Sequence, residues 1–577
     1  MNGFYPVFTK ENECQDCYKC IRHCPAKAIK LKNGSASVIP ELCVACGRCV
    51  KVCPAGAKQI RSDVDRVKYL LEKGEKLILS LAPSWKSAFK NVSEAQMVSA
   101  MKKLGFFAVS ETALGAQIVS AHVAAEMKQA DAGIFLSTAC PAAVEYIRKY
   151  IPEYSPLLTE MTSPVGAHAV FLKEYYGSDV KVIFAGPCAA KKLEADDTNS
   201  DLEIALTFKR LNRWLTEEGI DLNGEAAAGA AFEPVGAEEG RLYAFEGGMV
   251  ETVRSLQNDE KTVYLTVSGL NNMDRLLSGS VPQNTDVKLF IECLACEGGC
   301  VNGPGMPGRG DRLEDILRIA RPGCMKSSEN RKDTTEIRKQ FTPEPIEKTD
   351  LTPEQVKAGL EAIGKRNPED ELNCGGCGYQ TCRNFVAAVA SGKAEKEMCV
   401  SYLKRLAQNK SNALIKYIPS AVVIVDKNLK VVECNKQFAS LMDDEGTRLA
   451  YEASPGLEHA DLRRLIPFSD LFEAALRSGE EVLRNNYVVQ DKIFRISIFN
   501  VDPHRQVGAI ITDMTKNELQ REQIAQKARK VIEQNVFTVQ KIANYLGEHM
   551  AETEILLREV AEGFEGDHKE SSAHDDQ

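Results

Sequence analysis

The spacing of apolar residues changes along the chain and predicts different secondary structure in different regions. In the central region, short apolar runs such as KLILSLAP alternate with segments such as EAQMVSAMKKLGF, whose apolar positions recur at helical spacing. This alternation predicts an α/β domain. From about Ser411 the runs SAVVIVD, KVVEC, YVVQDKIFRISIFNV and QVGAIITDMT predict strands separated by turns. No run of eighteen apolar residues occurs, so we expect no membrane insertion.

The segment beyond Thr515 is charged and has helical periodicity. Ile524, Val531, Val539 and Leu546 lie near heptad spacing, and Ala528, Ile532, Ile542 and Met550 fill the same face. Such a helix either pairs in a homodimeric coiled coil or folds back on the preceding domain, and the spacing does not choose between them. The terminal sequence EGDHKESSAHDDQ predicts a disordered acidic tail.

Length, charge and cysteine content narrow the possible functions. A chain of 577 residues should form several domains at roughly 150 residues each. The net charge of −9, with no stripe of Lys and Arg, argues against nucleic-acid binding. The N-terminus MNGFYPVFTKENEC lacks the features of a signal peptide, so we expect a cytoplasmic protein with reduced thiols. Its nineteen cysteines are therefore expected to be metal ligands rather than disulfides.

Two cysteine runs near the N-terminus share one spacing, C-x2-C-x2-C-x3-C-P. The first contains Cys14, Cys17, Cys20 and Cys24, and the second contains Cys43, Cys46, Cys49 and Cys53. This is the pattern of bacterial two-cluster ferredoxins, in which the fourth cysteine of each run binds the other [4Fe-4S] cluster. We therefore assign Cys53 to the cluster of the first three cysteines and Cys24 to the other. Structural zinc is a weaker alternative, because zinc sites prefer two separated C-x2-C pairs.

Most of the central cysteines follow short apolar runs. Cys140 ends GIFLSTAC, Cys188 follows VKVIFAGP, and Cys293, Cys296 and Cys300 lie in VKLFIECLACEGGC. Loops at the carboxyl ends of strands are where α/β folds place their sites, so three such loops could form one metal centre. The pattern alone leaves unrelated buried thiols as an alternative.

These three loops resemble, in order and separation, the signature motifs of iron-only ([FeFe]) hydrogenases, and the resemblance extends over roughly residues 1–320. It implies that Cys140, Cys188, Cys296 and Cys300 hold a [4Fe-4S] cubane. Cys300 would bridge this cubane to a two-iron subsite with CO, cyanide and a bridging dithiolate. Lys191 would donate to a cyanide, and Ser163 would line the pocket with Pro164. Without the motif, Lys191 would be interpreted as a solvated lysine beside Lys192.

The sequence also departs from the family pattern. Ala139 stands where the family has a proton-relaying cysteine, and Val123 matches one relay glutamate, whereas Glu126 matches another. Gly186 and Leu294 replace methionines, Glu297 replaces a proline, and His122 could compensate for the lost relay or cap a helix. A missing general acid or base typically costs roughly 10²–10⁴-fold in rate, so we expect low turnover. The changes resemble the sensory subclass of the family.

A third cysteine motif, C-x2-C-x4-C-x16-C, contains Cys374, Cys377, Cys382 and Cys399. Four thiolates suit another [4Fe-4S] cluster, with zinc as the alternative, since spacing alone does not choose between them. The motif resembles a small cluster domain of sensory hydrogenases and corrinoid proteins. Cys293, Cys324 and Cys434 are left over and are expected to be structural.

The strand-rich region after Ser411 resembles a PAS domain, on the basis of Asn435, the later strands and the terminal Asp513-Met514-Thr515. A haem-binding PAS domain needs an axial ligand, and His459 and His504 lie in polar, loop-like sequence. We therefore expect no haem.

These features predict a multidomain α/β and α+β protein. Its parts are a two-[4Fe-4S] ferredoxin domain (1–60), an iron-only hydrogenase-like domain (61–345), a small [4Fe-4S] domain (346–410), a PAS domain (411–515), and an output helix with its tail (516–577). The favoured function is a hydrogen or redox sensor that oxidises H2 slowly and signals to a separate kinase or phosphatase. The alternatives are a working hydrogenase with ferredoxin as redox partner, and an iron–sulfur scaffold without the two-iron subsite.

Overall fold

The structure of the chain is a computed structural model that describes residues 5–32, 34–224, 226–257, 259–279, 281, 286–308, 312–319, 336–347, 351–442, 444–490, 492–515, 528–536 and 538. The chain divides into two units, residues 1–398 and 399–577. None of the helices in the described ranges combines the length and apolar composition that a bilayer crossing needs. The predictions made for Ile524, Val539, Ile542, Leu546, Met550, Cys324 and the acidic tail fall outside the described residues.

The N-terminal cysteine runs lie between two small antiparallel sheets. The elements are β1 (Val7–Thr9), α1 (Lys19–Arg22), β2 (Ile29–Lys32), β3 (Ser35–Val38), α2 (Arg48–Val52) and β4 (Lys58–Ile60). Strand β1 pairs with β4, and β2 pairs with β3. Each cysteine run contains one short helix and is followed by a strand, so the two halves repeat the same order. Tyr18 and Gly47, at equivalent N-caps, both have left-handed φ angles, 56° and 70°.

The central domain contains two parallel sheets. The strands are β5 (Leu77–Leu81), β6 (Ala108–Glu111), β7 (Gly133–Leu136), β8 (Lys181–Gly186), β9 (Leu202–Thr207), β10 (Thr262–Ser268) and β11 (Lys288–Leu294). One sheet has the order β6-β5-β8-β9 and the other has the order β10-β11-β7. Strand β5 is buried along its whole length, as expected for a strand covered on both faces. The predicted α/β architecture is therefore correct.

Helices cover both sheets of the central domain. They are α3 (Val64–Glu72), α4 (Trp85–Ala88), α5 (Glu94–Lys103), α6 (Ala113–Gln129), α7 (Pro141–Tyr150), α8 (Pro164–Tyr176), α9 (Lys191–Asp196), α10 (Phe208–Glu217), α11 (Gly248–Leu256), α12 (Leu270–Leu276) and α13 (Arg312–Ile319). Helices α6 and α8 pack closely, because Gly115 has no side chain: a Cβ there would lie 2.0 Å from the carbonyl oxygen of Pro164. This contact fixes the helix that begins next to Ser163.

A buried histidine links α8 to the four-stranded sheet and predicts acid sensitivity. The ring of His168 lies 2.8 Å from Ser80 Oγ and 3.0 Å from Ser110 Oγ, and burial lowers its pKa to about 3. An unfolded histidine titrates near pH 6.5, so the unfolded chain takes up the proton first as the pH falls. This contribution to stability is complete above pH 6.5 and decreases below it, by about 2 kcal/mol at pH 5. Denaturant unfolding of wild type and His168→Gln at pH 7.5 and 5 should show this loss as a change in the difference between the two proteins, because that difference cancels other buried groups such as Glu292, whose pKa burial raises to about 7.

Two helices lie near the end of the first unit, and the second unit is built around one antiparallel sheet. Helices α14 (Pro353–Ala362) and α15 (Cys382–Ala390) pack together in the first unit. The second unit contains α16 (Val400–Tyr417), β12 (Ala421–Asp426), β13 (Val431–Cys434), α17 (Lys436–Ala439), α18 (Glu445–Ala453), α19 (Asp470–Ser478), β14 (Val482–Val489), β15 (Lys492–Asp502) and β16 (Gln506–Asp513). Its antiparallel sheet has the order β13-β12-β16-β15-β14. The expected boundary at residue 411 falls inside α16.

Candidate metal centres

Four cysteines of the N-terminal domain line one cavity, which we call the outer site. Cys14, Cys17, Cys20 and Cys53 all line the same small cavity. Nowhere in the described ranges do three Cys, His, Asp or Glu residues come together closely enough to hold a single metal ion. A cubane binds its four thiolates at separate irons and so spreads them apart, whereas zinc gathers them on one ion at about 2.3 Å. A cavity lined by four cysteines is the arrangement that a cubane needs.

The other four N-terminal cysteines form a more deeply buried group, which we call the inner site. It consists of Cys24, Cys43, Cys46 and Cys49. Burial raises the pKa of Cys24 to about 11 and that of Cys46 to about 12, and charge on neighbouring thiols of the same group adds to both shifts. Thiolates in such a place need a positive centre to offset the cost of desolvation. Iron would supply it, so this group also fits a cluster.

The three central loops converge on one cavity, which we call the central site. Cys140, Cys188, Cys296 and Cys300 all line this small cavity. The first follows β7 and caps α7, the second follows β8, and the last two follow β11. The loops come from both parallel sheets, yet they meet at the carboxyl ends of the strands as predicted. Cys46 of the inner site lines the same cavity, so the inner and central sites are neighbours.

Two glycines allow the backbone to close around the central site. Gly299 has a left-handed φ of 97°, and a Cβ there would lie 2.7 Å from the backbone of Phe245. A Cβ on Gly303 would lie 2.7 Å from the carbonyl oxygen of Pro187. A larger residue at Gly299 would push the Cys296–Cys300 loop away from Phe245, and one at Gly303 would push it away from Pro187 in the loop of Cys188. The glycine-rich sequence is therefore required by the geometry of the cavity.

Lys191 is buried beside the central site rather than solvated. Its side chain is only 9% exposed, and its Nζ lies 2.7 Å from Ser163 Oγ and 2.7 Å from Glu194 Oε2. Its ammonium group also opposes the burial-driven rise in the pKa of Cys188. An ammonium has three donors, so one remains for a ligand in the cavity. The interpretation of Lys191 as a solvated lysine is therefore wrong, and Lys192 beside it is fully buried too.

Glu194 is a part of this arrangement that the sequence analysis missed. Its carboxylate pairs with Lys191 and accepts a hydrogen bond from Ser163. The two charged residues are three positions apart on α9, a spacing at which helical side chains meet. That spacing is visible in the sequence and could have identified Glu194.

The two positions that lack the family's relay residues lie in one apolar cluster. Val123 is fully buried in a core with Met127, Met161 and Met249, and Ala139 packs against it. The hydroxyl of Thr138, next to Ala139, donates to the carbonyl oxygen of Met161 at 2.7 Å. Apart from the hydroxyl groups of Tyr243 and Tyr264, the described side chains of this cluster are apolar, and neither Val123 nor Ala139 can exchange a proton.

Glu126 lies at the edge of this cluster on α6. Burial raises the pKa of its carboxyl group, charge on Glu160 adds to the rise, and Arg338 opposes it. Its Oε2 is buried without a hydrogen-bond partner among the described residues. His122, on the same helix, bonds to the carbonyl oxygen of Ile118 at 3.0 Å within its own helix. Glu126 is thus the better candidate for holding a proton.

The other departures from the family pattern have separate structural roles. At Gly186 a Cβ would lie 2.2 Å from the ring of Phe184, so the methionine is replaced by a residue that makes room for this ring. Leu294 lines the central site. Glu297 pairs with Arg48 of α2 at 2.7 Å and so links the central loop to the N-terminal domain.

The third cysteine motif begins next to the inner site. Gly378, between Cys377 and Cys382, packs against α1, where a Cβ would lie 3.1 Å from the carbonyl oxygen of Ile21. Burial raises the pKa of Tyr379 to about 12, with Cys377 and Cys24 adding to the rise. The tyrosine ring therefore lies near a thiol of each site. Cys374, Cys377 and Cys382 belong to the first unit and Cys399 opens the second.

The remaining predicted residues have structural environments. Cys293 and Cys434 are buried, as expected for structural thiols. Asn435 is 1% exposed, and its side chain accepts from the Val422 amide at 2.9 Å and donates to the Ser420 carbonyl at 2.8 Å. His459 and His504 both have left-handed φ angles, 67° and 61°, outside the helices and strands.

Comparison with protein families matches three parts of this architecture. Residues 75–304 match the iron only hydrogenase large subunit, C-terminal domain. Residues 13–57 match the 4Fe-4S dicluster domain, and residues 370–401 match an Fe–S cluster family. The N-terminal ferredoxin-type domain and the hydrogenase-like domain predicted from the sequence are thereby confirmed.

Individual relatives are distant. Iron hydrogenase 1 of Clostridium pasteurianum is 27% identical over 43% of this chain and 53% of its own length. The periplasmic [Fe] hydrogenase large subunit of Nitratidesulfovibrio vulgaris is 29% identical over 53% of this chain and 88% of its own length. A solved structure of the [FeFe]-hydrogenase HydA1 from Chlamydomonas reinhardtii, a variant form, covers 50% of this chain and 100% of its own at 17% identity, with a TM-score of 0.39.

The match thus spans about half the length of the clostridial relative. The part of the chain that carries the central site is the part that matches the hydrogenase domain, and the N-terminal cysteine runs match the dicluster domain. Residues 75–304 are therefore similar to the C-terminal domain of the iron-only hydrogenase large subunit, and in this chain they follow residues 13–57, which match a 4Fe-4S dicluster domain.

Proposed function

We propose that this chain is a cytoplasmic hydrogen or redox sensor, which binds the hydrogenase cofactor but turns hydrogen over slowly. One observation carries the proposal: Cys140, Cys188, Cys296 and Cys300 line one cavity with Lys191 near Cys188, whereas Val123 is buried in an apolar cluster against which Ala139 packs. The residues that would bind the cofactor are therefore retained, whereas the residues that would relay protons are replaced. A working hydrogenase would need both.

The residues of the central site fit the cofactor of the family. Cys140, Cys188, Cys296 and Cys300 would hold a [4Fe-4S] cubane, and Cys300 would also bind the two-iron subsite with its CO, cyanide and bridging dithiolate. When bound, this group would supply the binding and cleavage of hydrogen. Lys191, positioned by Ser163 and Glu194, would direct its free donor to a cyanide, and a charge-assisted hydrogen bond in a dry pocket is strong. Glu126 would hold a proton further away.

The inner and outer sites provide a route for electrons. Cys46 lines both the inner and the central sites, so electrons would pass first to the inner site and then to the outer site. Cys14, Cys17 and Cys53 of the outer site are partly exposed, which suits exchange with a redox partner such as ferredoxin. The motif of Cys374, Cys377, Cys382 and Cys399 would hold a further [4Fe-4S] cluster rather than zinc.

The second unit would convert the redox state into a signal. Its five-stranded antiparallel sheet and the buried Asn435 support a PAS domain, and the described helical residues Val531 and Ile532 pack against Ile415 and Ile510. This packing supports the folded-back arrangement of the output helix, and a homodimer remains the alternative. A separate kinase or phosphatase would receive the signal.

Infrared spectroscopy of anaerobically matured protein, titrated between hydrogen and argon beside a turnover assay, tests this function. We expect CO and cyanide bands that shift under hydrogen, together with turnover roughly 10²–10⁴-fold below that of relatives with an intact relay. Bands with fast turnover would instead identify a working hydrogenase. An absence of bands in protein with a full complement of cubanes would leave an iron–sulfur scaffold.

A further inference from the structure

The outer site contains a fully buried lysine, whereas Lys27, the lysine that acts on Cys24 of the inner site, is only partly buried. Lys58 begins β4 and lines the outer cavity together with the four cysteines. The residue is only 2% exposed. Its Nζ lies 2.5 Å from Thr9 Oγ1 and 2.6 Å from the carbonyl oxygen of Ala36. No carboxylate lies within 4 Å of this ammonium in the described part of the chain, so its charge is not cancelled locally.

The two halves of the N-terminal domain repeat each other in sequence, and only one half has a lysine at the position of Lys58. Cys24-Pro-Ala-Lys-Ala-Ile29 and Cys53-Pro-Ala-Gly-Ala-Lys58 are equivalent segments, and each ends on the first residue of a strand. Ile29 is 3% exposed, as a buried strand residue normally is. A buried lysine at the equivalent position costs desolvation that an isoleucine would not. The burial of Lys58 therefore requires an interaction that offsets this cost.

A negatively charged cluster at the outer site provides that interaction. Four thiolates give a bound cubane a net negative charge, and one-electron reduction adds another. A fixed positive charge stabilises the reduced cluster more than the oxidised one, and in a poorly solvated site the effect is large. Burial raises the pKa of Cys20 to about 11, and among neighbouring charges the Lys58 ammonium opposes this rise most strongly. The same ammonium also acts on Cys43 and Cys49, but as one of the smaller influences.

We propose that Lys58 raises the reduction potential of the cluster at the outer site above that of the inner site, so that the outer site retains the electron. The proposal rests on the ferredoxin-type domain and does not need the two-iron subsite. An electron delivered to the inner site beside Cys46 would therefore move to the outer site and stay there until a redox partner removes it. A chain with slow turnover would in this way accumulate a reduced state that can be read as a signal.

Lys58→Gln in the full chain tests this proposal, because glutamine keeps a hydrogen-bond donor but removes the charge. Purified protein would be reconstituted with iron and sulfide only, and the clusters titrated by EPR under dithionite. The signal of the outer cluster is identified by its change in Cys14→Ser. At the wild-type midpoint potential we expect the ratio of reduced to oxidised outer cluster to fall about tenfold, a shift of about 59 mV to more negative potential.

Two matched variants separate charge from structure. Lys58→Arg keeps the charge and should keep the potential, whereas Lys32→Met removes an exposed lysine of the same domain and should change nothing. An unchanged outer potential in Lys58→Gln with full iron content would overturn the proposal. So would a wild-type titration in which the outer cluster is reduced at lower potential than the inner one, a result that does not depend on whether any variant folds. Missing CO and cyanide bands would count against the proposed function but not against this inference.

Discussion

Replacing Lys191 with methionine should abolish the infrared signature of the cofactor or reduce hydrogen turnover by about 10²–10³-fold, the usual effect of losing one preorganised donor in a dry site. Two of the three donors of Lys191 are used by Ser163 and Glu194, which fix the position of the third. Methionine keeps the volume and loses the donor. The measurement is infrared spectroscopy of matured variant and wild type, normalised to iron content, with a turnover assay on the same samples.

Lys192→Met is the matched control. Lys192 is adjacent in sequence and equally buried, but its Nζ lies 2.6 Å from Asp63 Oδ2, at a position that links α9 to the start of α3. Breaking a buried ion pair costs about 3 kcal/mol or more, so this variant should unfold at lower denaturant concentration and keep its infrared bands. The opposite pattern, with bands lost in Lys192→Met and kept in Lys191→Met, would show that Lys191 has no role at the site.

Local sequence patterns predicted the parts of the molecule that depend on residues close together in the chain. The two cysteine runs predicted that Cys53 joins the first run, and the structure places Cys53 with Cys14, Cys17 and Cys20 around one cavity. The strand-to-loop pattern predicted where Cys140 and Cys188 lie, because the carboxyl ends of parallel strands share one edge. In each of these cases the prediction rests on the spacing of cysteines or on the position where a strand ends.

The arrangements that the sequence did not predict depend on which surfaces meet in the fold. Lys58, Lys191 and Lys192 look like exposed lysines in the sequence, and only the tertiary structure shows that they are buried beside thiols or carboxylates. The pair of Glu297 with Arg48 connects residues almost 250 positions apart. The proximity of Cys377 to Cys24 likewise follows from the packing of Gly378 on α1, and periodicity carries no signal for it.

The apolar cluster around Ala139 limits how much one substitution at a relay position should raise the turnover rate. Val123 and Ala139 belong to the same core, so restoring one polar group leaves the other gap open. A thiol placed at residue 139 would still pack against the apolar cluster that contains Val123 and Met161. A single substitution should therefore restore only part of the rate that a complete relay supplies.

Ala139→Cys should raise hydrogen turnover of the matured protein by about 10²-fold, the lower end of what one general acid or base contributes, and Ala139→Cys with Val123→Glu should raise it further. A glutamate at residue 123 would be buried among methionines, and the resulting high pKa suits a carboxyl group that must carry a proton. The assay is hydrogen oxidation per mole of cofactor, with loading measured from the infrared bands. Ala139→Ser is the control, because a hydroxyl of similar size is a much weaker acid than a thiol. Equal rates in wild type, Ala139→Cys and the double variant at equal loading would show that proton transfer does not limit this protein.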